Sequence, residues 1–204
     1  MPTYPLLLIA TSNPGKISEF QDLLKSFHLN LCTPDEMGIK QIPQETGSTY
    51  LENAMLKAQF YFNLGRMAVL ADDTGLEVEV LGGEPGLYSA RISSQTDADD
   101  AERRRLLLEK LADKAEPWVA FFICTAVLID QQGHSHAATG RCKGQIITQE
   151  RGNNGFGYDP IFLFPELGKT MAELELREKN LISHRAQAIR SLSPELLKLS
   201  INDR

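Results

Sequence analysis

The stretch Met67-Ala68-Val69-Leu70-Ala71-Asp72-Asp73-Thr74-Gly75-Leu76 decides how the rest of this chain is read. Five apolar residues run without polar interruption into two carboxylates, a threonine and a glycine. Such a run predicts a buried strand that delivers its acids at its C-terminal end. In open α/β sheets that edge is where ligands bind. Adjacent carboxylates repel, so keeping both ionised needs a cation or hydrogen-bond donors close by, and a divalent metal is the simplest answer. The competing reading has Asp72 and Asp73 opening a turn, with Gly75 at positive φ. These ten residues do not choose between the two; the flanking chain does.

Towards the N-terminus, Leu6 to Ala10 is a second apolar run and predicts the first strand. Thr11, Ser12, Asn13, Pro14, Gly15 and Lys16 follow, then a helix whose Ile17, Phe20, Leu23, Leu24 and Phe27 share one face. Asn13 suits the N-cap and Pro14 the first helical position. A strand, a small-residue loop and a helix N-terminus gather free N–H groups into an anion site, to which Lys16 adds a full charge. The Gly-x-x-x-x-Gly-Lys spacing of a Walker A loop is absent. After a polar loop from Thr33 to Gln44 come Glu45, Thr46, Gly47 and Ser48. Thr49 and Glu52 then have capping-box spacing at the start of a helix expected to bury Leu51, Met55, Ala58 and Phe62 and to stop at Gly65. Asn53 and Lys57 lie one turn apart on it and point the same way.

Towards the C-terminus, Leu76 to Leu81 alternates like a half-exposed strand, and Gly82 to Gly86 is a turn cluster. Thr96 is expected to cap a helix from about Asp97 to Leu111, with Arg103, Arg104 and Arg105 as a solvated face. Trp118 to Ile129 is rich in β-formers and should pair with a strand near His134 to Thr139 across a turn at Asp130 to Gly133. His134 and His136 are read as exposed hairpin residues without a function. From Arg151 the chain becomes a glycine-laced loop carrying Phe156, Gly157, Tyr158 and Asp159. Glycine lets backbone approach a ligand, an aromatic face can stack on a planar base, and a carboxylate can accept from a purine N–H. Thr170 to Leu176 reads as an amphipathic helical stretch. Ser183 then caps a helix with His184 and Arg185 in its first turn, where a cation opposes the dipole unless an acidic or electron-rich ligand offsets it.

The 204 residues suit one domain, or one domain with two lobes, and are ample for a core. A formal charge of −6 gives no basic face for a nucleic-acid polymer. Cys32, Cys124 and Cys142 are odd in number and lack Cys-x-x-Cys spacing, which indicates reduced thiols of a cytoplasmic protein. The N-terminal apolar run is too short for a signal peptide or a membrane span.

Taken in order, these segments carry a resemblance. The chain resembles the inosine/xanthosine triphosphate pyrophosphatase family over essentially its whole length. The matching residues are Thr11 to Lys16, Glu45-Thr46-Gly47, Glu52-Asn53-Ala54, Lys57-Ala58, Ala71 to Leu76, Ser89-Ala90-Arg91, Gly155 to Pro160, Ala172-Glu173-Leu174, Glu178-Lys179-Asn180 and Ser183-His184-Arg185. The resemblance implies an α/β fold with a long mixed central sheet flanked by helices, two lobes with the active cleft between them, and a homodimer. It implies cleavage of ITP, dITP and XTP between the α and β phosphates, with Mg²⁺ required. Carried over by position, Thr11, Ser12, Asn13, Pro14, Gly15 and Lys16 hold phosphates. Glu45 and Asp73 hold the metal, Asp73 is also the general base, and Thr74 contacts substrate. Phe156, Gly157, Tyr158, Asp159, Lys179, His184 and Arg185 form the substrate pocket. Four positions depart from the pattern: Glu150 stands for a usual proline, Ile92 for an aromatic, Met171 for a phenylalanine, and an arginine usual near Val119 is absent.

The residue types suit that chemistry. Splitting a phosphoanhydride needs charge neutralised on phosphoryl oxygens and an oriented water. Mg²⁺ takes oxygen ligands and keeps several waters, so Glu45, Asp73 and conceivably Asp72 suffice with substrate phosphate. Lys16 and Lys57 would stabilise the triphosphate and the departing pyrophosphate. A donor such as Arg185 or the His184 backbone would bond the purine 6-carbonyl. A nucleotide-binding regulator without turnover and a phosphatase releasing terminal phosphate are the alternatives from other classes.

Overall fold

The computed structural model describes residues 4–93 and 98–201. In chain order the elements are β1 (Leu6–Ile9), α1 (Pro14–Leu24), β2 (Asn30–Cys32), α2 (Tyr50–Gly65), β3 (Ala68–Val78), β4 (Pro85–Gly86) and α3 (Asp100–Leu111). They continue with β5 (Trp118–Ile129), β6 (Ser135–Ile146), β7 (Phe162–Phe164), β8 (Lys169–Thr170), α4 (Leu176–Ile182), α5 (His184–Ser191) and α6 (Ser193–Ile201). The strands hydrogen-bond in the order β2-β1-β3-β5-β6-β7-β8, with β4 paired to β3. β1 is parallel to β2 and β3, whereas β4 on β3, β7 on β6 and β8 on β7 are antiparallel, so the sheet is mixed, as expected. Of the described residues, those up to Asp73, Cys124–Gly140 and those from Arg185 onward form one compact unit. Thr74–Ile123 and Arg141–His184 form a second.

In the first unit, the two-residue period of a strand sorts the core into two faces. Leu7 and Ile9 of β1, Ala68 and Leu70 of β3, and Cys124, Ala126 and Leu128 of β5 pack with Phe20 and Leu24 of α1 and with Ala188, Ile189, Leu192 and Leu196 of α5 and α6. Leu8, Ala10, Val69, Ala71, Val127 and Ile129 pack with Ala54, Ala58, Tyr61 and Phe62 of α2 on the other. The same parity carries Asp72 to the α1 face and Asp73 to the α2 face. The second unit has its own core, in which Leu76 and Val78 meet Leu107 and Leu111 of α3, Trp118, Phe122, Ile161 and Phe162.

Several local expectations are revised. β3 does not stop at its acids but runs eleven residues to Val78, with Gly75 inside it, so neither a strand end nor a turn holds Asp72 and Asp73. Residues Glu79–Leu81 form a 3-10 turn rather than more strand. On α2, Thr49 accepts from the Glu52 amide as a cap should, but the Glu52 carboxylate turns to the Ser48 amide and hydroxyl instead of closing a capping box. Leu51 is exposed, and the buried face is Asn53, Ala54, Ala58, Tyr61 and Phe62. That rotation turns a polar pair, Asn53 and Lys57, inward. α3 begins at Asp100 and is capped by Asp99 rather than Thr96; Thr96 and Asp97 lie outside the described residues. Thr170 to Leu176 is not one helix, because Thr170 and Glu173 close a capping box on a single 3-10 turn. Only Arg105 of the arginine triplet is solvated. Arg103 turns back to Asp100 and Arg104 reaches Glu150, since successive helical residues point about 100° apart.

The β5–β6 hairpin forms as expected, with Gly133 donating to the Asp130 carbonyl at the turn, and β6 extends to Ile146. The three cysteines are buried and unbridged. Among the described residues no helix is long and apolar enough to cross a membrane.

Candidate active site

On the α2 face of the first unit, the i,i+4 spacing on α2 aims Asn53 and Lys57 at Asp73. The Asn53 Nδ2 donates to Asp73 Oδ2 at 3.0 Å, and its carbonyl accepts from the Gly47 amide at 2.7 Å. One side chain thus ties the Glu45 loop to the acid on β3. Lys57 Nζ sits 2.7 Å from Glu45 Oε1 and 3.8 Å from Asp73 Oδ1, so two carboxylates 28 positions apart converge on one ammonium. Burial pushes the Asp73 carboxyl up and Glu45 adds to the rise, against Lys57 and Asn53. Burial disfavours the Lys57 charge, but Asp72, Glu45 and Asp73 outweigh it and raise the ammonium.

On the α1 face, Asn13 caps α1, its Oδ1 accepting from the Lys16 amide at 3.0 Å, with Pro14 at the first position. Thr11 accepts from the Asn13 amide at 3.2 Å, and Ser12 is exposed. Gly15 and Lys16 complete the first turn of the helix. The Lys16 ammonium lies 2.9 Å from Asp72 Oδ2. Arg185 Nη2 donates to the same oxygen at 3.2 Å and its Nη1 to Glu19, all within the buried interior. The Cys124 thiol lies 3.7 Å from Asp72 as well. Burial alone would raise the Asp72 carboxyl, but Lys16, Arg185 and Lys57 hold it far below the ordinary carboxylate range. The expectation that Asp72 helps fix a metal is therefore corrected: its side chain leaves β3 on the face opposite Asp73 and is committed to two cations.

The second unit holds Thr74, half-buried on β3, and the glycine-laced loop. Asp159 Oδ2 accepts from the Phe156 amide at 2.9 Å and from Lys179 Nζ at 2.5 Å. Lys179 lies 4.9 Å from the centre of the Phe156 ring. Gly155 is at φ +74°, and a Cβ there would stand 2.0 Å from Asp159 Oδ2, so only glycine permits this closure. The Tyr158 hydroxyl donates to the Ser89 carbonyl at 2.8 Å, while the Ser89 hydroxyl accepts from the Leu76 amide and donates to the Gly86 carbonyl. His184 is buried, stacked on Phe122 at 4.8 Å, with Nδ1 3.8 Å from the Cys142 sulfur. Burial pushes that thiol up to about 12, which leaves it inert.

Asn53 was marked in the sequence by its one-turn spacing to Lys57, without the role of tying Gly47 to Asp73. Glu19 and Asp100 were not singled out. Glu19 had a faint signal, three positions after Lys16 on α1. Asp100 had none, because its partners lie in a loop 57 positions away.

Whether these residues fit a metal is answered by the donor set. Among the described residues no group of three or more His, Cys, Asp or Glu side chains forms a protein cage. Glu45 and Asp73 instead converge on the Lys57 ammonium, and the two carboxylates would offer hard oxygen ligands to a cation beside it. A two-carboxylate set matches Mg²⁺, which keeps waters and completes its shell with substrate phosphates. The residues fit the ion.

The Ham1 family is matched over residues 7–195. A protein of Thermus thermophilus named dITP/XTP pyrophosphatase is 44% identical over 187 residues, covering 91% of this chain and 89% of that one. One of the same name from Haemophilus influenzae is 42% identical, covering 93% and 98%. The solved structure of a HAM1 protein from Coxiella burnetii superposes with a TM-score of 0.84 at 38% identity, covering 95% of this chain and 99% of that one.

Proposed function

The chain belongs to the Ham1 family, and from that membership we propose that it hydrolyses unusual purine nucleoside triphosphates, ITP, dITP and XTP, between the α and β phosphates. The products are the nucleoside monophosphate and pyrophosphate. The observation that carries the reading is the setting of Asp73, a buried carboxylate raised by its surroundings, oriented by Asn53, and sharing one ammonium with Glu45. A carboxylate pushed upward accepts a proton more readily, which is what a base near neutral pH needs.

Glu45 and Asp73 would hold Mg²⁺, which when bound supplies charge neutralisation on phosphoryl oxygens and acidifies water. The protein's own groups divide the remaining work. Asp73 takes the proton from the attacking water, and Asn53 keeps its carboxylate aimed. Thr11 to Lys16 bind phosphate at the N-terminus of α1, and the Lys16 ammonium, oriented by Asp72, neutralises it. Lys57 offsets charge on the departing pyrophosphate. Thr74, Phe156, Gly157, Tyr158, Asp159, Lys179, His184 and Arg185 make up the rest of the substrate set. In it Phe156 offers a ring for the base, and Arg185 is a donor whose direction Glu19 and Asp72 set.

Selectivity follows from the 6-position of the purine. An adenine amino group there leaves a buried donor without its acceptor, at about 1–3 kcal/mol. The reading includes a homodimer in the cytoplasm, which sedimentation and fractionation check. Purified protein incubated with dITP and Mg²⁺ should release pyrophosphate, and chelation should stop it. Release of orthophosphate would make the protein a terminal phosphatase, and binding without any product would make it a regulator.

A further inference from the structure

Within the second unit, one turn of α3 holds both polar backbone atoms of Gly157. The Gly157 amide donates to Asp100 Oδ2 at 2.7 Å, and its carbonyl accepts from Arg104 Nη1 at 2.8 Å. Asp100 and Arg104 are four apart on α3 and so share a face. The Arg104 fork is itself aimed: Nε and Nη2 bond the two Glu150 oxygens at 2.8 and 2.9 Å. A bidentate pair of this kind fixes the guanidinium plane as well as its position. The neighbouring Arg105 shows the contrast, spending its fork on Glu102 and Glu109 of its own helix.

Gly157 needs such a hold. It sits at φ +63° with nothing within 4 Å of where a Cβ would be, so no side-chain packing keeps it there. Glycine also loses the most conformational freedom on ordering. Phe156 lies between Gly155 and Gly157. On one side Asp159 holds the Phe156 amide and Lys179 lies beside its ring; on the other the Phe156 carbonyl accepts from the Asp159 amide at 3.2 Å, and the α3 contacts hold both polar atoms of Gly157. Without the α3 contacts the peptide after Phe156 would lose its hold on the Gly157 side, and more of the ring's ordering would fall to the moment of ligand binding, at a cost in affinity.

We propose that Asp100 and Arg104 are positioning residues for base recognition: they clamp Gly157 so that the Phe156 ring is set before the purine arrives, with Glu150 aiming Arg104. This rests on the reading of the protein as a purine nucleoside triphosphate pyrophosphatase. The clamp acts on a part of the substrate remote from the bond that breaks, so its loss falls on ground-state binding.

The test is steady-state kinetics of the full chain on dITP with Mg²⁺, with thermal midpoints for every variant and hydrogen exchange of the peptide covering residues 155–158. Asp100→Ala and Arg104→Ala should each raise KM about tenfold while kcat stays within about twofold, and should speed exchange in that peptide. Asp100→Asn keeps a carbonyl acceptor for the Gly157 amide and should restore near-normal KM. The charge swap Arg104→Glu with Glu150→Arg restores the ion pair but not the donor to the Gly157 carbonyl, so KM should stay high. Unchanged KM and exchange in both alanine variants would overturn the clamp, as would a swap that recovers wild-type KM, since the ion pair alone would then suffice. A loss confined to kcat, or an equal loss for Asp100→Asn and Asp100→Ala, would overturn it too. Wild-type protein that leaves dITP intact fails the functional reading, whereas active wild type with unaffected variants fails only the clamp.

Discussion

On the α1 face of β3, Asp72 is enclosed by Lys16, Arg185 and Cys124; on the α2 face, Asp73 meets Asn53, Lys57 and Glu45. The two residues differ by one position, and the strand period sends them apart. Asp72 is paired with two cations and held strongly ionised, so it is structural charge that orients Lys16 and Arg185. Asp73 accepts from Asn53 and shares the Lys57 ammonium with Glu45, but burial outweighs these and disfavours its ionised form. Identical side chains in one strand thus meet opposite settings, one held ionised by its cations and the other pushed upward by burial.

Four experiments press on this contrast. Asp73→Asn should lower kcat by about a thousandfold while leaving the thermal midpoint unchanged or higher, because it removes the base together with a carboxylate that burial disfavours; an enzyme that keeps near-normal turnover defeats the base assignment. Asp72→Asn should act first on stability, costing about 3 kcal/mol by denaturant titration, since Lys16 and Arg185 lose the buried carboxylate they share and Arg185 is left with Glu19. Unaltered stability would mean that the α1 face does not depend on this carboxylate. Asn53→Ala comes next: kcat/KM should fall about tenfold, as expected for one hydrogen bond to a charged group. A loss as large as that of Asp73→Asn would give Asn53 a role beyond aiming.

The smallest effect is in pH, measured on metal-free protein. Folding raises the Asp73 carboxyl, so its ionisation costs stability at neutral pH, and that cost disappears as pH falls through the raised value. Any advantage of Asp73→Asn over wild type should therefore close on mild acidification. Folding depresses the Asp72 carboxyl, so its stabilisation is present above the ordinary carboxylate value of about 3.9 and is lost only as pH falls through the depressed one. The deficit of Asp72→Asn should then persist over the same mildly acid range; two gaps moving together would break the distinction.

Much of this was legible in the chain. Apolar runs at Leu6 to Ala10 and Trp118 to Ile129 announce buried strands, and Asn13-Pro14 announces the start of α1, because these signals depend on neighbouring residues alone. The inward turn of α2 was not legible: Leu51 is the better hydrophobe, yet the helix buries Asn53, whose amide satisfies Gly47 and Asp73 together. The role of Arg104 was hidden for a similar reason. Its partners are a carboxylate at 150 and a carbonyl at 157, and no local pattern marks an arginine for either.

Local order in the chain was sufficient for an α/β succession of strands and helices and for the capped start of α1, since propensity, capping and periodicity act over a few residues; the mixed sheet and the chemistry of the acids were what the family resemblance implied. Tertiary packing alone decided that Asp72 and Asp73 do different things. A carboxylate's ionisation is set by burial and by the charges within a few ångströms, and here those charges come from α1, α2, α5 and the Glu45 loop, up to 113 positions away along the chain.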